Sequence, residues 1–438
     1  MRRQKVSTRR RIVAVLAAIG LLVTACGNGG GDEGDAAADD GDEGTTDEET
    51  TDEEITIGAL FPRSGPLSRL GEESYVGADI AREMVNEQGG VNGAMVSFAT
   101  GDAEDATAAK TEATRLIERE GVEVIIGSYA SSVAMAATED AERAGVVYWE
   151  TIAVADDVTE RGFENTFRLT FNAGQMGEAA AEFAEYAASE LGIESSELRV
   201  AVVGEDSDFG TSVSDGAVNK VNELGFDLVA EESYSADVTD LSTLVLRLRE
   251  RSPDVIIATS YLQDAILFWR QAREYELEVS SMIGVGTGYA LPDFVEAHGS
   301  DVDGMFNVDA PNLPQLDAMA DDVREDYEEF LDRFRERVGR EPGPLATIAY
   351  QGTRVLLEEV MPEAGNDAEA IAAVARTLDL PLGTLPTGAG VSFDENNQNQ
   401  RAVVSVMQWQ DEELSPVWPD DLALTEIRDL PLPPWSER

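Results

Sequence analysis

The sequence predicts an α/β protein made of two doubly wound parallel-sheet lobes, and three features of its 438 residues carry the prediction. From Ile55 onward, short apolar runs alternate with longer amphipathic segments, which is the pattern of repeated βα units. The rhythm restarts after Phe167-Arg168-Leu169, so there are two series of similar size. The length also exceeds what one hydrophobic core supports, since single cores stop growing at roughly 250–300 residues.

Taken in order, Ile55–Phe61 is a strand that ends in the turn-forming Pro62-Arg63-Ser64-Gly65-Pro66. Between Glu72 and Gln88 the residues Val76, Ile80, Met84 and Val85 share one helical face, and Gly89-Gly90 stops the helix. A strand over Met95–Thr100, a helix over Ala106–Glu120, a strand over Val122–Gly127 and a helix over Ser132–Ala144 follow, and Val146–Trp149 closes the first series. The second series runs through helix 173–191, strand Leu198–Gly204, helix Gly210–Leu224, strand Phe226–Ala230 and helix Asp240–Glu250. Strand Asp254–Ala258, helix Gln263–Tyr275 and strand Ser281–Val285 complete it. Helical patterns then cover 318–338, 345–361 and 367–377, ahead of strands at Val391–Phe393 and Ala402–Gln408.

Residues 1–25 stand apart. They hold six of the 32 basic residues and no acid, and an apolar run from Ile12 to Val23 leads to Thr24-Ala25-Cys26-Gly27. A basic end followed by a short apolar segment is the layout of a secretory signal, and a membrane span needs about 20 apolar residues. Cys26, the only cysteine, falls at the cleavage point, and this arrangement resembles the lipobox of bacterial lipoproteins, which implies lipidation of Cys26. Residues 27–54 contain thirteen acids and no apolar residue larger than Ala, so they cannot bury enough surface to offset ordering entropy. The segment 26–54 is expected to be an extended spacer that holds a folded body off a membrane.

The charge removes several function classes. With 32 basic against 86 acidic residues, nucleic acid and anionic lipid surfaces are disfavoured as main partners. From residue 55 onward there are 26 basic and 73 acidic residues, so the excess belongs to the body as well as the spacer. It reads as solvation of an exposed surface. A single Cys excludes a disulfide framework, and a single His, His298, leaves little room for His-based metal sites or a Ser-His-Asp triad.

Doubly wound sheets bind ligands beyond the carboxyl ends of their strands. The informative loops are therefore Arg63–Leu70, Ser128–Ser132, Glu150–Ala155, Glu205–Phe209, Thr259–Leu262 and Gly286–Tyr289. They carry Ser, Thr, Tyr and Phe with few bases, which suits a small polar organic molecule.

The stretches Ile57–Pro62 with Ser64-Gly65-Pro66, Val85–Gly93, Ile126–Ser132, Thr159–Phe163, Trp269–Arg273, Phe393-Asp394 and Met407-Gln408-Trp409 stand out along the chain. Together and in this order they resemble the branched-chain amino acid binding proteins of ABC importers. The resemblance implies a type I solute-binding protein whose two lobes, 55–170 with 310–390 and 171–309 with 391–438, are joined by crossings near 168–172, 306–311 and 388–392. It also implies a lipid-anchored, extracytoplasmic receptor that passes a small solute to ABC permease subunits, with no catalysis and no cofactor or metal.

Site residues follow from the same resemblance. Ser131, beside Ser132, would hold a ligand carboxylate at a helix N-terminus, although Ser often merely caps a helix. Phe209 and Tyr261 would close over the ligand from the second lobe, where ordinary core packing is the competing reading. Leu70 falls where relatives place a side-chain contact, and Ile152 and Ala153 match backbone-contact positions. Relatives that bind α-amino acids have a Thr where this chain has Val154 and an acid where it has Gly286. The implied solute is a branched-chain amino acid, an amide or a related compound; unless Glu150, Thr151 or Thr287 substitutes, an amide, an organic acid or a modified amino acid enters as the ligand.

Other signals are weaker. Gly284-Val285-Gly286-Thr287-Gly288 lacks the third Gly of a dinucleotide fingerprint, and Asp301-Val302-Asp303-Gly304 is a lone acidic turn. There is no phosphate loop and no Gly-x-Ser-x-Gly elbow. A sensory module of the same fold and a surface hydrolase remain as alternative functions.

Overall fold

A computed structural model describes residues 54–235, 237–311 and 319–438. The signal segment 1–25, Cys26 and the spacer up to Glu53 lie outside the described residues.

The first series forms β1 (Glu54–Phe61), α1 (Ser68–Glu87), β2 (Met95–Asp102), α2 (Ala106–Arg115), β3 (Val124–Gly127), α3 (Ser131–Ala144), β4 (Val147–Glu150), a short α4 (Asp157–Glu160) and β5 (Thr166–Arg168). The second forms α5 (Ala173–Leu191), β6 (Arg199–Glu205), α6 (Asp208–Leu224), β7 (Asp227–Tyr234), α7 (Ser242–Arg251) and β8 (Val255–Thr259). It continues through α8 (Leu262–Glu274), β9 (Ser281–Val285), α9 (Pro292–His298) and β10 (Phe306–Asp309). The remainder holds α10 (Asp321–Val338), α11 (Pro344–Arg354), α12 (Met361–Ala364), α13 (Ala368–Ala375), β11 (Ser405–Gln410) and β12 (Glu413–Trp418).

The strand orders are β2-β1-β3-β4-β5 in one sheet and β12-β11-β10-β9-β8-β6-β7 in the other. The first sheet is wholly parallel, and so is the β7-to-β10 part of the second, to which β11 and β12 add antiparallel. Both parallel parts share one order, with its switch points at β1/β3 and β6/β8. Their inner strands are mostly buried apolar residues, as sheets covered on both faces require, whereas the edge strands β2 and β7 are largely half-buried or exposed.

Helix ends follow local chemistry. α5 begins at a capping box, in which the Asn172 side chain accepts from the Gln175 amide and Gln175 reaches back, and Gly192 ends it in the left-handed region. α1 begins at Ser68, four residues before Glu72, and this draws Leu70 into the helix and into the first core. α10 lays Tyr327, Phe330 and Phe334 against Val76, Ile80 and Met84 of α1. A helix from the tail of the chain therefore packs on the first series.

The chain passes between the sheets after β5, after β10 and again before β11. The stretch Val391–Phe393, expected as a strand, makes only isolated bridges, Leu380 with Val391 and Phe393 with Asn399. Just beyond it, Gln398 bridges Arg168 at the end of β5, and Arg168 N donates to Asn397 O while Asn399 N donates to Arg168 O. Residues 391–400 thus stay with the first sheet, and the last passage lies beyond Asn399, later than the expected 388–392. Arg168 itself is fully buried, with Nη2 donating to Thr159 Oγ1 at 3.1 Å and Nε bonded to Gln398 Oε1.

Candidate ligand cavity

The carboxyl ends of the two sheets face one another across a cavity of about 490 Å³ counted out to its mouth. From the first sheet come Tyr129 and Ser131 after β3, Ile152 and Val154 after β4, and Leu345 and Ile348 of α11. The second sheet supplies Phe209 after β6, Ser260 and Tyr261 after β8, and Gly286, Thr287 and Gly288 after β9. Thr170, Phe171 and Asp309 lie where the chain passes between the sheets, and Met176 completes the wall.

Ser131 is the first residue of α3 and caps nothing. Its Oγ accepts from Ala155 N at 3.1 Å, which holds the loop after β4 against the start of α3. The N-terminal turn of α3 therefore lies at the cavity wall, where its amides and dipole favour an anion.

Beneath that turn, Glu150 is completely buried. Its Oε1 accepts from Ser128 N, Ile152 N and Ala153 N at 2.7–2.8 Å, and its Oε2 from Ser128 N at 2.8 Å and Ser128 Oγ at 3.0 Å. Burial pushes its pKa up against these five bonds. Glu150 is thus a scaffold for two loops. The amides of Ile152 and Ala153 are turned toward it, so only the Ile152 side chain is a wall residue. Thr151 is also buried, with Oγ1 donating to Gly127 O at 3.2 Å.

On the opposite wall, Glu205 accepts from Ser207 N (2.7 Å), Ser207 Oγ (2.6 Å) and Gly210 N (3.0 Å), which fixes the start of α6 and with it Phe209. The Phe209 and Tyr261 rings lie 5.6 Å apart at 52°. Tyr261 meets Tyr129 of the other lobe edge to face, with centroids 6.5 Å apart. Burial pushes both phenols up, so they stay neutral. At Gly286 φ is +93°, and a Cβ there would sit 2.6 Å from Phe209 Cζ. The aromatic ring thus occupies the space an acid at 286 would need.

The acid on the wall is Asp309, at the end of β10. It is 3% exposed, its Oδ1 accepts from Ala310 N at 2.7 Å, and its Oδ2 accepts from Thr287 Oγ1 at 3.0 Å. Burial pushes its pKa up to about 6. Ser260 is held from behind by the Tyr234 hydroxyl (2.6 Å) and the Tyr289 hydroxyl (2.8 Å), and Tyr234 donates to Asp264. Burial pushes Asp264 up to about 7.

Five residues singled out from the sequence, Ser131, Ile152, Phe209, Tyr261 and Thr287, meet on this cavity. Leu70 lies in the first core, Ser132 is exposed, and Ala153 is buried off the wall. Tyr129 and Ser260 belong to loops the strand-end argument had marked, whereas Leu345 and Ile348 come from a distant helix with no local signal. Asp309 did carry one, as a lone acid closing the run Phe306-Asn307-Val308. His298 packs its ring on Phe294, with centroids 5.1 Å apart, away from the cavity wall.

This arrangement, two like sheets with a cavity between their carboxyl ends, can be compared with known proteins. A periplasmic binding protein family model matches residues 54–413. The chain belongs to the type I periplasmic branched-chain amino acid binding protein family. Leu/Ile/Val-binding protein homolog 7 of Brucella abortus is 39% identical over 378 residues, covering 86% of this chain and 94% of that protein. The solved leucine binding protein LivK of Thermotoga maritima superposes with a TM-score of 0.71 at 25% identity, covering 84% and 100%. A solute binding protein of an ABC transporter from R. palustris, solved in complex with benzoate, shares the fold with a TM-score of 0.68 at 20% identity, covering 83% and 95%. Membership of this family makes the chain a solute-binding protein of the extracytoplasmic space. Among the described residues no helix is long and apolar enough to cross a membrane.

Proposed function

We propose that this periplasmic binding protein is the lipid-anchored receptor of an ABC importer, holding a small organic acid between its lobes and presenting it to the permease. The observation that carries the reading is the pairing of the α3 N-terminus at Ser131 with an aromatic second-lobe wall at Phe209 and Tyr261 around one cavity. An anion fits the helix end, and an apolar body fits Ile152, Val154, Leu345 and Ile348. The basic, apolar N-terminal segment that ends at Cys26 supports the anchor. Closure around the solute is supported by contacts between the lobes, namely the Arg69–Asp293 ion pair joining α1 to α9 and Asp156 N donating to Ser212 Oγ at 3.2 Å.

Calorimetry with the solute recovered from the protein tests the site. Ser131→Ala is expected to weaken binding roughly tenfold, the worth of one charge-assisted hydrogen bond, and Tyr261→Ala by a similar factor through lost aromatic contact. Unchanged affinity in both variants would refute the placement.

A further inference from the structure

Closing the cavity brings two acidic bodies together. Residues 54–170 and 319–401, where α10 and α11 pack on α1 and α13 packs on β4, hold 38 acidic against 17 basic residues. Residues 171–309 and 402–438 hold 35 against 9. Like charges in this excess repel, and salt screens the repulsion, with a Debye length of about 10 Å at 0.1 M and about 3 Å at 1 M.

An ion pair joins the two bodies, between Arg69 of α1 and Asp293 of α9. The two helices follow the strand-end loops of β1 and β9, and neither residue is on the cavity wall. Nothing within α1 accounts for Arg69. It is the second residue of that helix, where the dipole favours an acid, and it is exposed. Asp293 Oδ2 is shielded from solvent and accepts no other hydrogen bond, so Arg69 is its partner. Elsewhere the bodies meet through an uncharged contact, Asp156 N donating to Ser212 Oγ at 3.2 Å. Arg161, which lies near Asp208, instead donates to Asp157 O, Met135 O and Thr138 Oγ1 on its own side.

We propose that the Arg69–Asp293 pair is a latch that holds the two acidic bodies closed against their mutual repulsion, so that ionic strength sets the balance between open and closed forms. This rests on the reading that the bodies close on a solute. A contact pair that is partly buried is screened less than charges spread over facing surfaces, so added salt weakens the repulsion more than the latch and favours closure.

The test is the distance between two spin labels in the full chain with Cys26→Ser, one at Glu118→Cys and one at Glu250→Cys, both exposed positions and one on each body. It is measured on the chain as purified and after removal of bound solute, at about 0.05 M and about 1 M salt. At the lower salt Arg69→Asp and Asp293→Arg should each raise the ratio of open to closed forms about five- to tenfold in at least one preparation. The double swap Arg69→Asp with Asp293→Arg should restore the parent ratio, since the pair is rebuilt with its charges exchanged. The higher salt should draw both single variants back toward the closed form. Three results overturn the proposal: single variants that leave the distances unchanged in both preparations, a double swap that does not restore them, or salt that opens the variants further. Unchanged distances in a chain that still carries a small acid remove this proposal and leave the receptor reading standing, whereas that reading fails separately, as a chain that takes up no small acid.

Discussion

Asp309→Asn is expected to raise the thermal stability of the ligand-stripped protein above neutral pH. In the folded chain burial moves this carboxyl from 3.8 up to about 6. Between those values the folded state holds a proton that the unfolded state releases, so stability falls as pH rises through this window. Above it the full cost applies, about 3 kcal/mol for a shift of about two pH units. Asn keeps the shape and can still accept from Thr287 or Ala310, but it carries no charge to desolvate. Calorimetric unfolding should therefore show the variant melting several degrees above the parent at about pH 8, with the gap closing toward pH 4. Equal melting at both values would mean that Asp309 is hydrated and not the buried acid described above.

Gly286→Asp, which places an acid where α-amino acid binding relatives have one, is expected to damage the protein rather than improve it. The position has φ +93°, and the added Cβ would lie 2.6 Å from Phe209 Cζ. Backbone strain of about 1–2 kcal/mol and overpacking of about 1–3 kcal/mol together predict a loss of roughly 2–5 kcal/mol. The ring could escape only by leaving the cavity wall, so solute binding should fall as well. Urea unfolding with calorimetry on the same preparation checks both effects. Undiminished stability would show that the ring moves freely and that the space at 286 is open.

These two residues also mark what could be read from the sequence. The βα alternation and the strand-end loops were legible because period and turn chemistry are local. α5 falls on 173–191 as expected because Asn172, Gln175 and Gly192 are all within its own sequence. Ser131, Phe209 and Tyr261 reach the cavity for the same reason, each standing just past a strand. The failures are non-local. The departure at Gly286 was visible, but its cause, a Phe209 ring from another loop, was not. Glu150 and Thr151, considered as substitutes for the missing groups, turned out to be scaffold, because the amides that hold Glu150 come from two separate loops. Leu70 left the site when α1 began one turn earlier than its apolar spacing suggests. β12 went unpredicted because Pro416 breaks the strand pattern, and an edge strand is where a proline is tolerated.

The central claim is that a small organic acid sits between the two sheets, and mass spectrometry tests it most directly. The full chain, purified without added solute, is measured under native conditions, and the small molecules it releases on unfolding are then identified. One small organic acid per chain is expected, which rebinds to the stripped protein unchanged and binds weakly to Ser131→Ala. A chain that carries nothing and takes up no small acid, or one that converts the recovered compound to a product, would contradict it.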